Sequence, residues 1–294
     1  MVAAPAAQVK SGHRPGRRVH RRGVRDDRAI VQTWDVAALE LAEVVRAKAS
    51  RLLSVCIPAH DEAPTVARVV RAVAEPHLAA AGGSGLVDEV LVVDDGSADG
   101  TGAAAACAGA RVVRLGRRNG KGAAMRAALE HAAGDFLVFL DADVLNTSAA
   151  FVTNLAGPLL LGDAALVKGY YRRPLDGAPT GGGRVNELMA RPVIEVLFPE
   201  LAGVRQPLAG ETAAPRWVLE KVGLSDGYGV EMGLLLDVAR LVGAERIAQV
   251  DLGERHHRNR SLEELRPQAA EVLRAALARA AADAGPGSGG PARR

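Results

Sequence analysis

From about residue 52 onward, short wholly apolar runs alternate with stretches whose apolar residues recur at helical spacing. Residues 52–58 read as a buried strand, and 64–74 as a helix with Val66, Val69, Val70 and Val73 along one face. Residues 90–93 predict a second strand, 103–108 part of a second helix, and 111–115 a third strand. A glycine-bracketed loop, 116–122, leads into a helix over 123–133, and 136–140 is a short strand ending at Asp141. Strands and helices in strict alternation imply right-handed crossovers, hence an α/β fold with a mostly parallel central sheet and helices on both faces.

The second half is less regular. Residues 165–171 and 246–251 read as strands, with helices over 184–198, 231–241 and 262–282. The run 180–183 is glycine-rich and reads as flexible, and no internal repeat is visible. The pattern divides the chain into a disordered basic arm (1–30), a first half (31–160), a second half with a C-terminal helix (161–284), and a disordered Gly/Pro tail (285–294).

Polar residues gather where ligands bind in such sheets, at the carboxyl ends of strands. These are Pro-Ala-His-Asp-Glu (58–62), Asp-Asp-Gly-Ser (94–97) and Asp-Ala-Asp (141–143). Asp141 and Asp143 are two residues apart, so both carboxylates can point the same way. Two carboxylates suit a hard divalent cation that also binds phosphate oxygens. Asp61 and Asp99 each precede a helix, where an N-cap is the plain alternative; capping accounts for Asp99 but leaves the pair Asp94-Asp95 without such an explanation. Gly120, Lys121 and Gly122 before a helix allow close backbone approach to an anion. His256, His257, Arg258, Asn259 and Arg260, flanked by Arg255, form a basic cluster suited to an anionic acceptor.

Charge narrows the reading further. Residues 1–30 hold eight Lys/Arg against two Asp, whereas 31–294 hold 29 basic against 32 acidic residues. The basic pI therefore belongs to the arm, and the folded part is mildly acidic, which argues against a nucleic-acid-binding domain. No apolar run approaches a membrane span. Cys56 and Cys107 both read as small core residues in a reducing cytoplasm.

Together, the motifs at 58–62, 92–97, 120–122 and 141–143 resemble those of glycosyltransferases with the GT-A (Rossmann-like) fold. The second half narrows the resemblance. Val-Lys-Gly-Tyr-Tyr-Arg-Arg (167–173), Gly-Gly-Gly-Arg-Val-Asn-Glu-Leu (181–188), Gln-Pro-Leu-Ala-Gly-Glu (206–211), Gly-Tyr-Gly-Val-Glu (227–231) and His-Arg-Asn-Arg (257–260) are similar to those of the glucosyl-3-phosphoglycerate synthases of actinobacteria. The resemblance runs from about Trp34 to the C-terminal helix.

The resemblance implies transfer of glucose from UDP-glucose, or another nucleotide-glucose, to the 2-hydroxyl of 3-phosphoglycerate, with retention and with Mg2+. Mn2+ or Co2+ would substitute for Mg2+. Pro58, Ala59, Glu62, Asp95 and Lys121 would contact the nucleotide, with Asp141 and Ala142 beside it. Asp143 and His257 would bind the metal, with Asp141 close by. Arg184, Asn186 and Asn259 would hold phosphoglycerate, and Leu208, Tyr228 and Glu231 would line the sugar and acceptor pocket. Asp143, Glu231, Leu208 and Lys121 are thus the catalytic candidates. The resemblance also implies a homodimer.

Asn186, Ala209 and His60-Asp61 stand where the family pattern has Thr, Ser and Leu-Asn. These departures leave the related mannosyl-3-phosphoglycerate synthases, which take GDP-mannose, as an alternative. An inverting lipid-phosphate sugar transferase would share only the first half. A covalent route would need Glu231 or Glu211 as nucleophile; the alternative is attack from the face the diphosphate leaves.

Overall fold

A computed structural model describes residues 30–175, 178–181, 183–256 and 261–284. The readings made for residues 1–29 and 285–294, for His257 and for Asn259 lie outside the described residues. The first half contains β1 (Gln32–Trp34), α1 (Leu41–Lys48), β2 (Leu53–Ala59), α2 (Ala63–His77), β3 (Glu89–Asp94) and α3 (Thr101–Cys107). It continues with β4 (Arg111–Arg114), α4 (Lys121–His131), β5 (Phe136–Phe139) and α5 (Ala149–Leu160). The second half opens with β6 (Leu166–Arg172), β7 (Pro174–Leu175) and β8 (Ala178–Gly181). A π-helical turn (Asn186–Ala190) then runs into α6 (Arg191–Leu197), β9 (Thr212–Pro215), α7 (Arg216–Val222), α8 (Val230–Val242), β10 (Ile247–Glu254) and α9 (Leu262–Ala284).

One eight-stranded sheet has the order β1-β10-β6-β9-β5-β2-β3-β4. Its pairings are parallel except those of β9, which runs antiparallel to both β5 and β6. Side chains alternate across it, as the period of two requires. Val55, Ile57 and Val138 pack on one face with α1, α2 and α5; Cys56, Leu137 and Phe139 pack on the other with α4, α7 and α8. With both faces covered, the strands read as continuous apolar runs.

The chain builds β2, β3 and β4 outward in one direction, then returns to place β5 on the other side of β2. That reversal opens a crevice at the carboxyl ends of β2 and β5, where Pro58–Glu62 and Asp141–Asp143 emerge. The run at 180–183 is partly described: Ala178–Gly181 pairs with Pro174–Leu175 as a two-stranded ribbon.

Two sequence readings are corrected. Asp61 does not cap α2. It adopts a left-handed backbone (φ 54°) and its Oδ1 accepts from the Ala98 amide at 3.0 Å. Asp99 takes over, accepting from the Ala63 amide at 2.9 Å and from the Thr101 amide at 2.9 Å, so one carboxylate serves the starts of both α2 and α3. Cys107 is exposed at the end of α3, and Cys56 alone is a core thiol.

Candidate active site

A cleft of about 330 Å3 opens at the sheet's carboxyl edge. The residues that the resemblance assigns to nucleotide, metal, sugar and acceptor line it wherever they fall among the described residues. From the first half come Pro58, Ala59, Glu62 and Asp95, followed by Lys121, Asp141, Ala142 and Asp143. From the second come Arg184, Asn186, Leu208, Tyr228 and Glu231.

On the first-half wall, backbone geometry dominates. Asp95 Oδ1 and Oδ2 accept from the Asn119 and Gly120 amides at 2.8 and 2.7 Å, pinning the loop that delivers Lys121. The Asp95 carboxylate thus orders the site's backbone as well as lining the cleft. His60 Nδ1 lies 2.8 Å from the Asp95 carbonyl, tying the β2 end to the β3 end. Gly122 could not be another residue, because a Cβ there would sit 1.9 Å from the Ser225 carbonyl oxygen. That close approach packs the start of α4 against the second half.

At the floor, charged groups from both halves interlock. Lys121 Nζ lies 2.7 Å from Asp141 Oδ1 and 2.5 Å from Glu231 Oε1. Arg255 Nη2 bridges Asp141 Oδ2 at 2.8 Å and Asp143 Oδ1 at 3.0 Å, while Nη1 lies 3.0 Å from the Glu211 carboxylate. Burial alone would raise the Asp141 pKa, but Lys121 and then Arg255 hold it well below the usual carboxylate range. Burial would likewise lower the Lys121 pKa, yet Asp141 and Glu231 hold it above the ordinary value, so it stays an ammonium. Glu211 is fully buried, and burial pushes its pKa up against the pull of Arg255. Gly210 is the close neighbour that permits this packing: a Cβ there would lie 2.2 Å from Asp141 Oδ1.

The second-half wall rests on Asn186. It is buried, its Nδ2 donates to the Arg205 carbonyl at 3.3 Å, and its Oδ1 accepts from the Leu208 amide at 3.4 Å. Lys168, buried in β6, donates to the Ala209 carbonyl at 2.6 Å from below the same loop. Burial pushes the Lys168 pKa down to about 8, with Glu231 the main opposing charge. The Tyr228 amide donates to Glu271 Oε2 at 2.6 Å, fastening α9 over the cleft.

Sequence reasoning passed over the structural weight of Arg255, Lys168, Tyr171 and Gly210. A lysine and a tyrosine inside an otherwise apolar strand pattern were the available signal. The acids that Arg255 pairs with are 44, 112 and 114 residues away, which leaves no signal in spacing.

The glycosyl transferase family 2 model matches residues 54–186. The glucosyl-3-phosphoglycerate synthase of Mycolicibacterium paratuberculosis is 44% identical over 263 residues, spanning 84% of this chain and 78% of that one. The chain belongs to the glucosyl-3-phosphoglycerate synthases. A solved synthase structure, from Mycobacterium tuberculosis with Mn2+, UDP-glucose and phosphoglyceric acid, superposes with a TM-score of 0.74 at 40% identity. That match spans 92% of this chain and 86% of the other. A further structure of the same synthase, with Mg2+ and UDP, gives the same TM-score, 0.74, at 40% identity over 92% of this chain and 86% of that one. Membership in these synthases accounts for the GT-A sheet, and among the described residues no helix is long and apolar enough to cross a membrane.

Proposed function

We propose that this chain transfers glucose from UDP-glucose to the 2-hydroxyl of 3-phosphoglycerate with retention, using Mg2+, with Mn2+ or Co2+ able to replace it. The observation that carries this reading is the shared cleft. Asp141 and Asp143 from one half meet Glu231 and Arg255 from the other, beside Arg184 and Asn186.

The donor set fits a divalent ion. Asp141 and Asp143 turn hard carboxylate oxygens toward one cation, and in this structure that cation is the Arg255 guanidinium. Asp143 and Asp141 would hold the metal, with His257 as a third ligand. In support, the His256 amide donates to Asn146 Oδ1 at 3.1 Å, which ties His256 to the turn that follows Asp143. Bound there, the ion would neutralise charge on the departing diphosphate.

The protein's own groups position and neutralise the rest. Lys121, fixed as an ammonium, faces the leaving diphosphate; Arg184, Asn186 and Asn259 hold the acceptor, and Leu208 and Tyr228 bound its pocket. A covalent intermediate finds little support, since Glu231 is ion-paired with Lys121 and Glu211 is buried against Arg255. Attack on the face the diphosphate leaves needs no such nucleophile, and the diphosphate itself accepts the hydroxyl proton. The free cysteines accord with a cytoplasmic enzyme, and the exposed apolar Leu188 and Val196 with two chains pairing.

The test is stereochemical. Transfer from UDP-glucose to 3-phosphoglycerate should give an α-linked product, read from the anomeric proton coupling. A β-linked product would overturn the retaining mechanism, and GDP-mannose outperforming UDP-glucose would overturn the donor.

A further inference from the structure

The cleft's cations are not equivalent. Lys121 and Arg255 are each shared between carboxylates. Arg173, which also lines the cleft, is different. Among the described residues its recorded partners are neutral: Nη2 donates to the Tyr171 hydroxyl at 2.7 Å, and the guanidinium carbon sits 4.9 Å from the centre of the Tyr171 ring. Its Nε–H is buried and has no acceptor among the described residues. Beside it runs Gly183, whose missing Cβ would lie 3.2 Å from Arg173 Cδ. A fork-shaped cation, half-buried and with no anionic partner recorded among the described residues, faces a cleft whose acceptor carries two anionic groups.

Its placement says which of the two. Tyr171 is the penultimate residue of β6, two residues before Arg173, with its side chain buried. Its hydroxyl accepts from Arg173 Nη2 and also from Arg255 Nη1, at 2.6 Å, and the Arg255 guanidinium lies 5.2 Å from the same ring. Tyr171 is therefore a rigid spacer between Arg173 and the guanidinium that grips Asp141 and Asp143. One phenol separates Arg173 from the floor where the donor diphosphate is placed. In 3-phosphoglycerate the reacting C2 is bonded directly to the carboxylate carbon, whereas the phosphate is carried on the neighbouring C3. The anion held nearest the reacting hydroxyl is the carboxylate, and a planar guanidinium matches it with two parallel hydrogen bonds.

Resting on the functional reading above, we infer that Arg173, held by Tyr171, is the specificity residue for the acceptor's carboxylate. Arg184 and Asn186 remain with the phosphate end. The carboxylate arrives against a guanidinium already stacked and hydrogen-bonded, so little side-chain freedom is lost on binding.

The experiment compares the wild-type chain with R173Q and R173K, in Mg2+ and saturating UDP-glucose. It reads the KM for 3-phosphoglycerate and the inhibition constant of glycerol 3-phosphate, which keeps the phosphate but has a hydroxymethyl group for the carboxylate. R173Q should raise the 3-phosphoglycerate KM roughly 10- to 100-fold, the scale of one charge-assisted pair. The glycerol 3-phosphate inhibition constant should stay within about threefold, because a group lacking the carboxylate loses no such pair. R173K, which keeps charge without the fork, should recover part of the loss, and the UDP-glucose KM should not move. Equal rises for both ligands would assign Arg173 to the phosphate, and no rise in either would remove it from the acceptor site; both overturn the inference. A wild-type chain that glucosylates no 3-phosphoglycerate would instead overturn the functional reading, before any variant is made.

Discussion

On the side of the cleft assigned above to the donor, β2, β3 and β5 are apolar through most of their length, and the polar groups that reach the cleft lie at or beyond their carboxyl ends. On the acceptor side, β6 buries Lys168, Glu211 lies buried just before β9, and Arg255 follows β10 with its side chain 4% exposed. The first wall satisfies polar atoms with neighbouring backbone amides, as Asp95 does with Asn119 and Gly120. The second satisfies buried ions with one another. The two walls should therefore fail differently. Removing a donor-side carboxylate takes away one ligand, while disturbing the acceptor side leaves charge in a medium that cannot solvate it.

The largest effect is expected where the walls meet. Asp143 keeps 29% of its side chain exposed and, among the described residues, is gripped by Arg255 alone, so the Asp143→Ala chain should fold normally. Its loss should cost about 3–5 kcal/mol of transition-state stabilisation, seen as a fall of several powers of ten in kcat at saturating Mg2+. Near wild-type turnover would take Asp143 out of the metal site and leave the donor wall without its central group.

A smaller loss should follow from a change on the opposite wall. In Gly210→Ala the new methyl would claim the space of Asp141 Oδ1, 2.2 Å away, and push that carboxylate off Lys121 and Arg255. A displacement of this kind costs on the order of a hundredfold in turnover, about 3 kcal/mol. Circular dichroism should still report the native helices. A folded variant with unchanged kcat would show that the position of Asp141 is not set from the acceptor side.

The same contrast explains what the sequence disclosed. The donor wall was legible because its signals are local. Val66, Val69, Val70 and Val73 mark one helix face, and Asp141 and Asp143 stand two apart at a strand end. Asp61 misled because its side chain turns to Ala98, a choice made by a left-handed backbone that no spacing announces. α5 was missed because it is apolar on nearly every side, with Gly157 and Pro158 inside it, so it shows no helical stripe. β9 was missed because Thr212–Pro215 is four residues long and pairs antiparallel, against the rhythm of the rest. The acceptor wall resisted most, since Lys168, Glu211 and Arg255 meet only after the sheet has formed. Sequence alone gave no sign that these three charges share one buried cluster.

The smallest predicted effect isolates the acceptor wall by itself, through pH. Lys168 is 1% exposed, and burial brings its pKa down to about 8, whereas an unfolded lysine titrates near 10.4. Its folded value is therefore the lower one. Below pH 8 both states hold the proton and the folded chain bears the cost of a buried ammonium. Between about pH 8 and 10.4 the folded state has released a proton that the unfolded state still binds, so stability rises with pH across that window. Relative to K168M, the wild-type chain should gain about 1 kcal/mol between pH 8 and pH 9, read from urea midpoints. The variant gives up the bond to the Ala209 carbonyl but has no ammonium to bury, so its own pH dependence carries no such rise. Identical slopes for the two chains would mean that Glu231 and Glu211 compensate the Lys168 charge fully. The acceptor wall would then be as well satisfied electrostatically as the donor wall is by its backbone.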